Sequence, residues 1–218
     1  KSVGEVFAPL DNKDYSPFFG QMRSARPAVI YTSVAGNDTV RLFSQMAEFG
    51  ISRNVQVVGA SGTVTSQNLP AIGKAADGFV TGVGYATSID SPENRKFVSD
   101  FEAANKAAPD LYGADSYGVL FFYKAAVEKA MKAKGGKWPS QDDVIDAMVG
   151  LEVESLGGKG SWRKDHIADQ TFTQGFTTHK NSYDFVTLGT FESMFSTSLQ
   201  KPPGADFWEW IKTAKFDI

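Results

Sequence analysis

No cysteine occurs anywhere in the 218 residues, which removes thiolate nucleophiles, cysteine-bound zinc and disulfide cross-links at once. Histidine is nearly as scarce, at two, so chemistry that needs an imidazole base or a cluster of imidazole ligands has little to draw on. Charge of one sign is missing too: 22 Lys and Arg against 25 Asp and Glu leave a net charge of −3, with both signs scattered. No basic run points to nucleic acid, and no acidic tail to a solvating arm. Nor does any apolar stretch approach the roughly 20 residues that a bilayer-spanning helix needs. Lys1 opens no charged-then-apolar secretion signal. It leads instead into Val3-Gly4-Glu5-Val6-Phe7, which reads as a strand entered in mid-fold. The expectation is a fragment of a longer protein.

What is present is a rhythm. From Lys1 to about Ala108, short apolar runs alternate with helical patterns, as in a mainly parallel sheet flanked by helices, the α/β class. The strands are expected near Val3–Phe7, Ala28–Thr32, Val55–Val58 and Phe79–Val83. Ser16-Pro17 is expected to open a helix with the serine as cap. Thr39 to Phe49 places Val40, Phe43, Met46 and Ala47 on one face and stops at Gly50. Ser91-Pro92 caps another helix, whose stripe is Phe97, Val98 and Phe101. The pattern then changes. Asp115 to Lys134 reads as one long helix ended by Gly135-Gly136, its apolar residues expected in the core. Ser140 to Asp143 resembles a capping box for a second helix through Met148. After Leu151 the pattern turns to β, with Thr171–Thr178 and Phe185–Phe191 as an antiparallel pair. Lys201-Pro202-Pro203-Gly204 reads as a linker before a short aromatic helix at Phe207-Trp208-Glu209-Trp210.

Catalytic motifs fail one by one. Gly59-Ala60-Ser61-Gly62 follows a strand but lacks the Gly-x-Ser-x-Gly order of a nucleophile elbow. Gly82-Val83-Gly84 lacks the third glycine of a dinucleotide fingerprint. Gly157-Gly158-Lys159-Gly160-Ser161 lacks the Gly-Lys-Ser/Thr order of a phosphate loop. Asp165, His166 and Asp169 have no second histidine at ligand spacing and read as a polar turn, and His179 as a turn residue. The sequence therefore argues against an enzyme, and no metal or cofactor is expected. Ligands of open α/β sheets bind beyond the carboxyl ends of strands. The residues there are Ser33, Asn37, Asp38, Ser61, Thr63 and Tyr85, a set of hydrogen-bonding groups without a convergent acid–base pair. Such an inventory suits recognition.

Several stretches in order resemble the leucine/isoleucine/valine-binding family of periplasmic solute-binding proteins, the type I periplasmic binding proteins. They are Asp14-Tyr15-Ser16-Pro17-Phe18, Ala28-Val29-Ile30-Tyr31, Ala35-Gly36-Asn37-Asp38-Thr39 and Ala47-Glu48-Phe49-Gly50-Ile51. Further on come Gly73 to Gly78, Ser88 to Asn94 and Ala114-Asp115-Ser116-Tyr117-Gly118. The resemblance covers nearly all of the chain except about the last twenty residues, through many weak matches and no sharp motif. It implies two α/β lobes closing like a clamp on a small molecule, which is then delivered to an ABC permease in the inner membrane. By that resemblance residues 1–110 are a second lobe lacking its first strand and helix, and 111–150 are helices of the first lobe. Residues 151–200 return to the second lobe, and 201–218 form a linker and aromatic helix. Exposed apolar faces on the helices between Asp115 and Met148 are expected if the first lobe is missing, and such faces invite self-association.

The resemblance also implies three contact positions. An aromatic that lines the ligand in amino-acid binders falls on Ala35, the acid that pairs with the ligand's ammonium falls on Ser61, and a further aromatic falls on Tyr112, which is retained. Two of the three depart from the amino-acid pattern. A buried ammonium without a carboxylate costs several kcal/mol, so a branched-chain amino acid is disfavoured unless Asp38 supplies the charge. Small Ala35 and Gly36 leave room for a bulkier ligand. The expected role is the extracytoplasmic binding component of an ABC importer, periplasmic or membrane-anchored in a Gram-positive cell. Its ligand is expected to be an aromatic or hydroxy acid, an amide or an amino-acid-like molecule. The alternative is a ligand-sensing regulator or receptor domain of the same fold.

Overall fold

Short β-branched runs cannot bury themselves alone, and helices with apolar residues three and four apart need a surface to cover. The computed structural model, which describes residues 1–202 and 204–215 apart from the side chains at 190, 191 and 195, satisfies both needs in one sheet. Pro203 of the expected linker and residues 216–218 of the expected tail lie outside the described residues. The chain divides into two units, Lys1–Ala114 with Thr173–Glu192, and Asp115–Phe172 with Ser193–Ile218.

In the first unit the elements run α1 (Ser16–Ala25), β1 (Val29–Thr32), α2 (Asn37–Glu48), β2 (Gln56–Gly59), α3 (Leu69–Ile72), β3 (Val80–Val83) and α4 (Pro92–Asn105). Late in the chain β7 (Thr171–Thr178) and β8 (Thr187–Phe195) return to complete a five-stranded sheet of order β1-β2-β3-β7-β8. The pairs β1–β2 and β2–β3 are parallel, Val29 opposite Gln56 and Val58 opposite Val80. Strand β7 runs antiparallel to β3, with Val80 opposite Phe176. Leu42, Phe43 and Met46 of α2 pack with Phe19 of α1, Val57 of β2 and Phe79 in the core. Phe43 meets Phe79 edge to face at 5.0 Å. Elsewhere in the unit Tyr85, Phe97 and Phe101 form a second aromatic row, with centroids 6.1 and 5.7 Å apart. The returning strand is locked by Thr177, whose hydroxyl bonds to the Ala76 carbonyl and accepts the Phe79 N–H at 3.0 Å.

Two local expectations are corrected. The helix at Ser16-Pro17 is not capped by Ser16. Asp14 accepts the Ser16 N–H at 2.9 Å, and its hydrogen bonds with Ser16 hold its carboxyl below the ordinary range. The strand over Val3–Phe7 does not form, and Val3 and Phe7 are 57% and 84% exposed. A strand needs a neighbour's backbone, and β1, at the sheet edge, is hydrogen-bonded within the sheet to β2 alone.

Helix α5 (Leu111–Ala133) begins at the end of the first unit and continues in the second, where it meets α6 (Gln141–Met148). Ala126, Val127 and Ala130 pack on Val144 and Ala147. The expected capping box is present: Asp143 N–H donates to Ser140 Oγ at 3.3 Å while Ser140 N–H donates to Asp143 Oδ2 at 2.9 Å. Val119, Leu120 and Tyr123 of α5 are exposed, so the core expectation fails for them while the exposed apolar face expected on these helices is present. The reason is length, since α5 has 23 residues and α6 has 8. At 1.5 Å per residue a short helix covers only one end of a long one. Strands β4 (Glu152–Ser155), β5 (Gly158–Trp162) and β6 (Ala168–Asp169) form an antiparallel meander, and α7 (Phe207–Thr213) starts on Asp206, which accepts the Trp208 and Glu209 N–H groups at 2.9 and 3.0 Å.

Candidate functional site

Because β1, β2 and β3 are parallel, their carboxyl ends lie on one edge of the sheet, and the loops that follow them are neighbours. Backbone bonds knit these loops together. The Ala60 N–H donates to the Thr32 carbonyl at 3.1 Å, so the β2 loop continues the β1 ladder one residue past the strand. Thr63 turns inward, 2% exposed, donating to the Thr32 carbonyl at 3.4 Å, and Asn68 holds the Thr63 carbonyl at 3.0 Å. Thr39, also buried, bonds to the Val34 carbonyl at 2.9 Å and fixes the start of α2 against the β1 loop. Gly36 caps α2 with φ +61°, a conformation that costs glycine little.

The sequence-predicted residues therefore divide. Ser33, Ala35, Gly36 and Ser61 are exposed on the loops at this edge, and Asn37 is exposed at the first residue of α2. Tyr112, 61% exposed, stands on the first turn of α5. Its turn is tied to the β2 loop through Asp110, which accepts from Gln67 and from the Gly113 N–H. Thr63 and Tyr85 face the interior. Asp38 is already committed: one oxygen accepts the Asp11 N–H at 2.8 Å and the other pairs with Arg41. Arg41 reaches on to the Asn12 carbonyl at 2.8 Å, and the Asp38 hydrogen bond raises its pKa further. Asp38 thus pins the Asp11–Asp14 loop to α2, both of its oxygens engaged within the fold.

A half-open pocket of about 70 Å³, unforeseen from the sequence, lies beside the β2 loop. Gly62, Ser66 and Leu69 line it from that loop and α3, Val83 and Tyr85 from β3 and beyond, and Phe185 and Leu188 from the returning segment. None of its lining residues is charged. Tyr85 is 6% exposed and its hydroxyl has no hydrogen-bond partner. Burial pushes the phenol pKa up, with Tyr183 and Glu102 adding to the effect. The only local signal was Tyr85 itself. Phe185 and Leu188 arrive from about 100 residues later, as the Ser88 to Leu188 hydrogen bond at 2.6 Å shows.

Elsewhere the polar candidates are spent on structure. Asp165 is bound by Arg163 at 3.0 Å, Asp169 by Gln200 at 3.1 Å, and His179 lies 2.9 Å from Asp77. Among the described residues no group of three His, Asp or Glu side chains could hold a metal, and no helix is long and apolar enough to cross a membrane.

The family described as periplasmic binding protein matches residues 1–175. A Leu/Ile/Val-binding protein homolog of Brucella melitensis is 28% identical over 160 residues, covering 72% of this chain and 40% of that protein. A solute-binding protein of an ABC transporter from Rhodopseudomonas palustris, solved with 3,4-dihydroxybenzoic acid, is 25% identical with a TM-score of 0.70. It covers 90% of this chain and 52% of that one. An ABC transporter substrate-binding protein from Sphaerobacter thermophilus has a TM-score of 0.74 at 20% identity, over 86% of this chain and 51% of that one. The chain thus spans about half the length of the proteins it resembles or less.

Proposed function

This chain belongs to the periplasmic binding protein family, and from that premise we propose that it grips the solute in the extracytoplasmic binding component of an ABC importer, which releases it unchanged to a membrane permease. The observation that carries the reading is the edge at which three parallel strands end in loops of small, neutral, hydrogen-bonding residues. Ser33, Ala35, Gly36, Asn37 and Ser61 offer donors, acceptors and open space there, and Tyr112 offers a flat ring. None of these groups is an acid–base pair, so the site can hold a molecule and has little with which to transform it.

The ligand we assign to it is an aromatic or hydroxy carboxylic acid, in preference to a branched-chain amino acid. Two relatives bracket the choice, one named for leucine, isoleucine and valine and the other holding 3,4-dihydroxybenzoic acid. The chain's own residues favour the second. Ser61 is uncharged, and the one acid among the candidate residues, Asp38, is held by Arg41 and the Asp11 N–H. An enclosed ammonium would find no counter-charge among them, at a cost of several kcal/mol. A carboxylate has hydrogen-bond donors in the hydroxyls of Ser33 and Ser61 and in the side-chain amide of Asn37, all exposed at this edge. Isothermal titration with leucine, benzoate and 3,4-dihydroxybenzoate tests the assignment. Heat from the aromatic acids and none from leucine is expected; tight leucine binding without an aromatic response refutes it.

A further inference from the structure

Two of the groups assigned to the ligand, Ser61 and Tyr112, stand on separate pieces of the first unit, the β2 loop and the first turn of α5. Both pieces line the half-open pocket, the loop through Thr65 and Ser66 and the start of α5 through Pro109 and Leu111. Open space therefore lies between parts of the two, and close packing alone does not fix their separation.

Each piece is stiff by itself. In the loop, Asn68 accepts the Thr65 N–H at 2.8 Å and donates to the Thr63 carbonyl at 3.0 Å. Thr63 in turn is 2% exposed and reaches the Thr32 carbonyl at the end of β1. At the start of α5, Asp110 accepts the Gly113 N–H at 2.7 Å, and its carbonyl accepts the Ala114 N–H at 3.0 Å. Gly113 itself is hemmed in, since a side-chain carbon there would stand 3.3 Å from Asp110 Oδ1 and 3.3 Å from Cε2 of Phe101 on α4. Tyr112 lies between these two fixed residues, so its backbone follows Asp110.

Gln67 joins the pieces. It is exposed, it lies inside the braced turn between Thr65 and Asn68, and its amide donates to Asp110 Oδ2 at 2.8 Å. A hydrogen bond to a carboxylate is stronger than one between neutral groups. Here it acts as a strut across a separation that packing leaves open. Contacts already spaced for a molecule cost less to order when it binds, and a rigid ring cannot adapt to a spacing that has changed.

We infer that Gln67 is a positioning residue for the ligand: through Asp110 it sets the spacing between the Ser61 loop and the Tyr112 turn, and so favours a rigid aromatic acid that engages both. The inference rests on the proposed function for those two contacts. Gln67 itself need not touch the ligand.

The experiment is an NMR titration with 3,4-dihydroxybenzoate that follows the Ser61 and Gly113 amides in the wild-type chain, Gln67→Met, Tyr112→Ala and the double variant. Methionine keeps the length of glutamine and removes the donor. Gln67→Met is expected to weaken binding about fivefold, within the range for ordering one side chain. In the Tyr112→Ala background the same substitution is expected to change nothing, because the spacing no longer serves a second contact. A merely structural role would give equal losses in both backgrounds. Gln67→Ser supplies the same cycle should Gln67→Met not fold. Unchanged affinity in a folded Gln67→Met protein, or equal losses in both backgrounds, overturns the inference and leaves the assigned ligand standing. No saturable response from the wild-type chain overturns the assigned ligand, and the inference falls with it.

Discussion

The Gln67 side-chain amide donates to Asp110 at 2.8 Å across 43 residues of sequence, and the other oxygen of the same carboxylate accepts the Gly113 N–H at 2.7 Å. One acid therefore starts α5 and anchors the β2 loop, so the loop bearing Ser61 and the turn bearing Tyr112 share a fixed point. Gln67→Ala is expected to cost about 1 kcal/mol, the usual net worth of one such bond. Asp110→Ala is expected to cost about 2 kcal/mol, because the helix start is lost as well. Urea denaturation of the two variants measures both, and equal effects would show that the cap carries nothing.

Gly59 is the end of β2 and lies against the core. A side-chain carbon there would stand 2.3 Å from Cζ of Phe79 and 3.0 Å from the Thr32 carbonyl oxygen. Phe79 is 2% exposed and wedged against Phe43, so it has nowhere to move. Gly59→Ala is expected to destabilise by about 1–3 kcal/mol, the range for overpacking. Thermal melting checks it. The substitution Gly62→Ala, three residues on, meets no such atoms but carries a positive φ, so it is the milder of the two.

Asp143 gives a pH signature in the second unit. Hydrogen bonds from Lys134, then from the Ser140 side chain and backbone, hold its pKa at about 2, against an ordinary 3.8. A carboxyl with a lowered folded-state pKa stabilises the fold above its unfolded value and loses that contribution as pH falls through the folded one. The α5–α6 pairing is therefore expected to weaken as pH falls from about 4 toward 2. Carbon chemical shifts of the Asp143 carboxyl measure the midpoint directly. Ser140→Ala is expected to raise it toward the ordinary value and, through loss of the cap, to cost about 1 kcal/mol.

The ligand assignment can be reversed by design. Ser61→Glu places a carboxylate on the exposed β2 loop. It is expected to raise affinity for leucine about tenfold, or about 1.4 kcal/mol, and to lower that for benzoate by like-charge repulsion. Calorimetric titration of both ligands decides the matter, and unchanged ratios would place the ligand's charged end elsewhere.

Parts of this architecture were legible because they are written locally. Ser91 caps α4 by accepting the Asn94 N–H at 3.0 Å, and Ser140 with Asp143 makes the capping box that its spacing predicts. The apolar spacing of α2 places Phe43 and Met46 in the core. What could not be read depends on partners distant in sequence. The commitment of Asp38 is decided partly by Asp11, 27 residues earlier. Val3–Phe7 has strand composition but no backbone neighbour, and composition cannot supply one. The cavity needs Phe185 and Leu188 beside Val83, a juxtaposition created only by the return of the chain.

That return also has a consequence in time. Strands β1 to β3 are parallel neighbours linked by short crossovers and can assemble from nearby sequence. The clamp at Thr177 instead joins residues 98 apart, so completing the sheet means closing a large loop before any of its bonds is gained. Folding of this unit should therefore be two-phased, with α1 through β3 acquiring hydrogen-exchange protection first and β7 and β8 last. Thr177→Val should slow the second phase and leave the first unchanged. The last strands to arrive also bring Thr177 and Leu188 to the pocket beside the β2 loop, so the maturing chain completes that surface only at the end of folding.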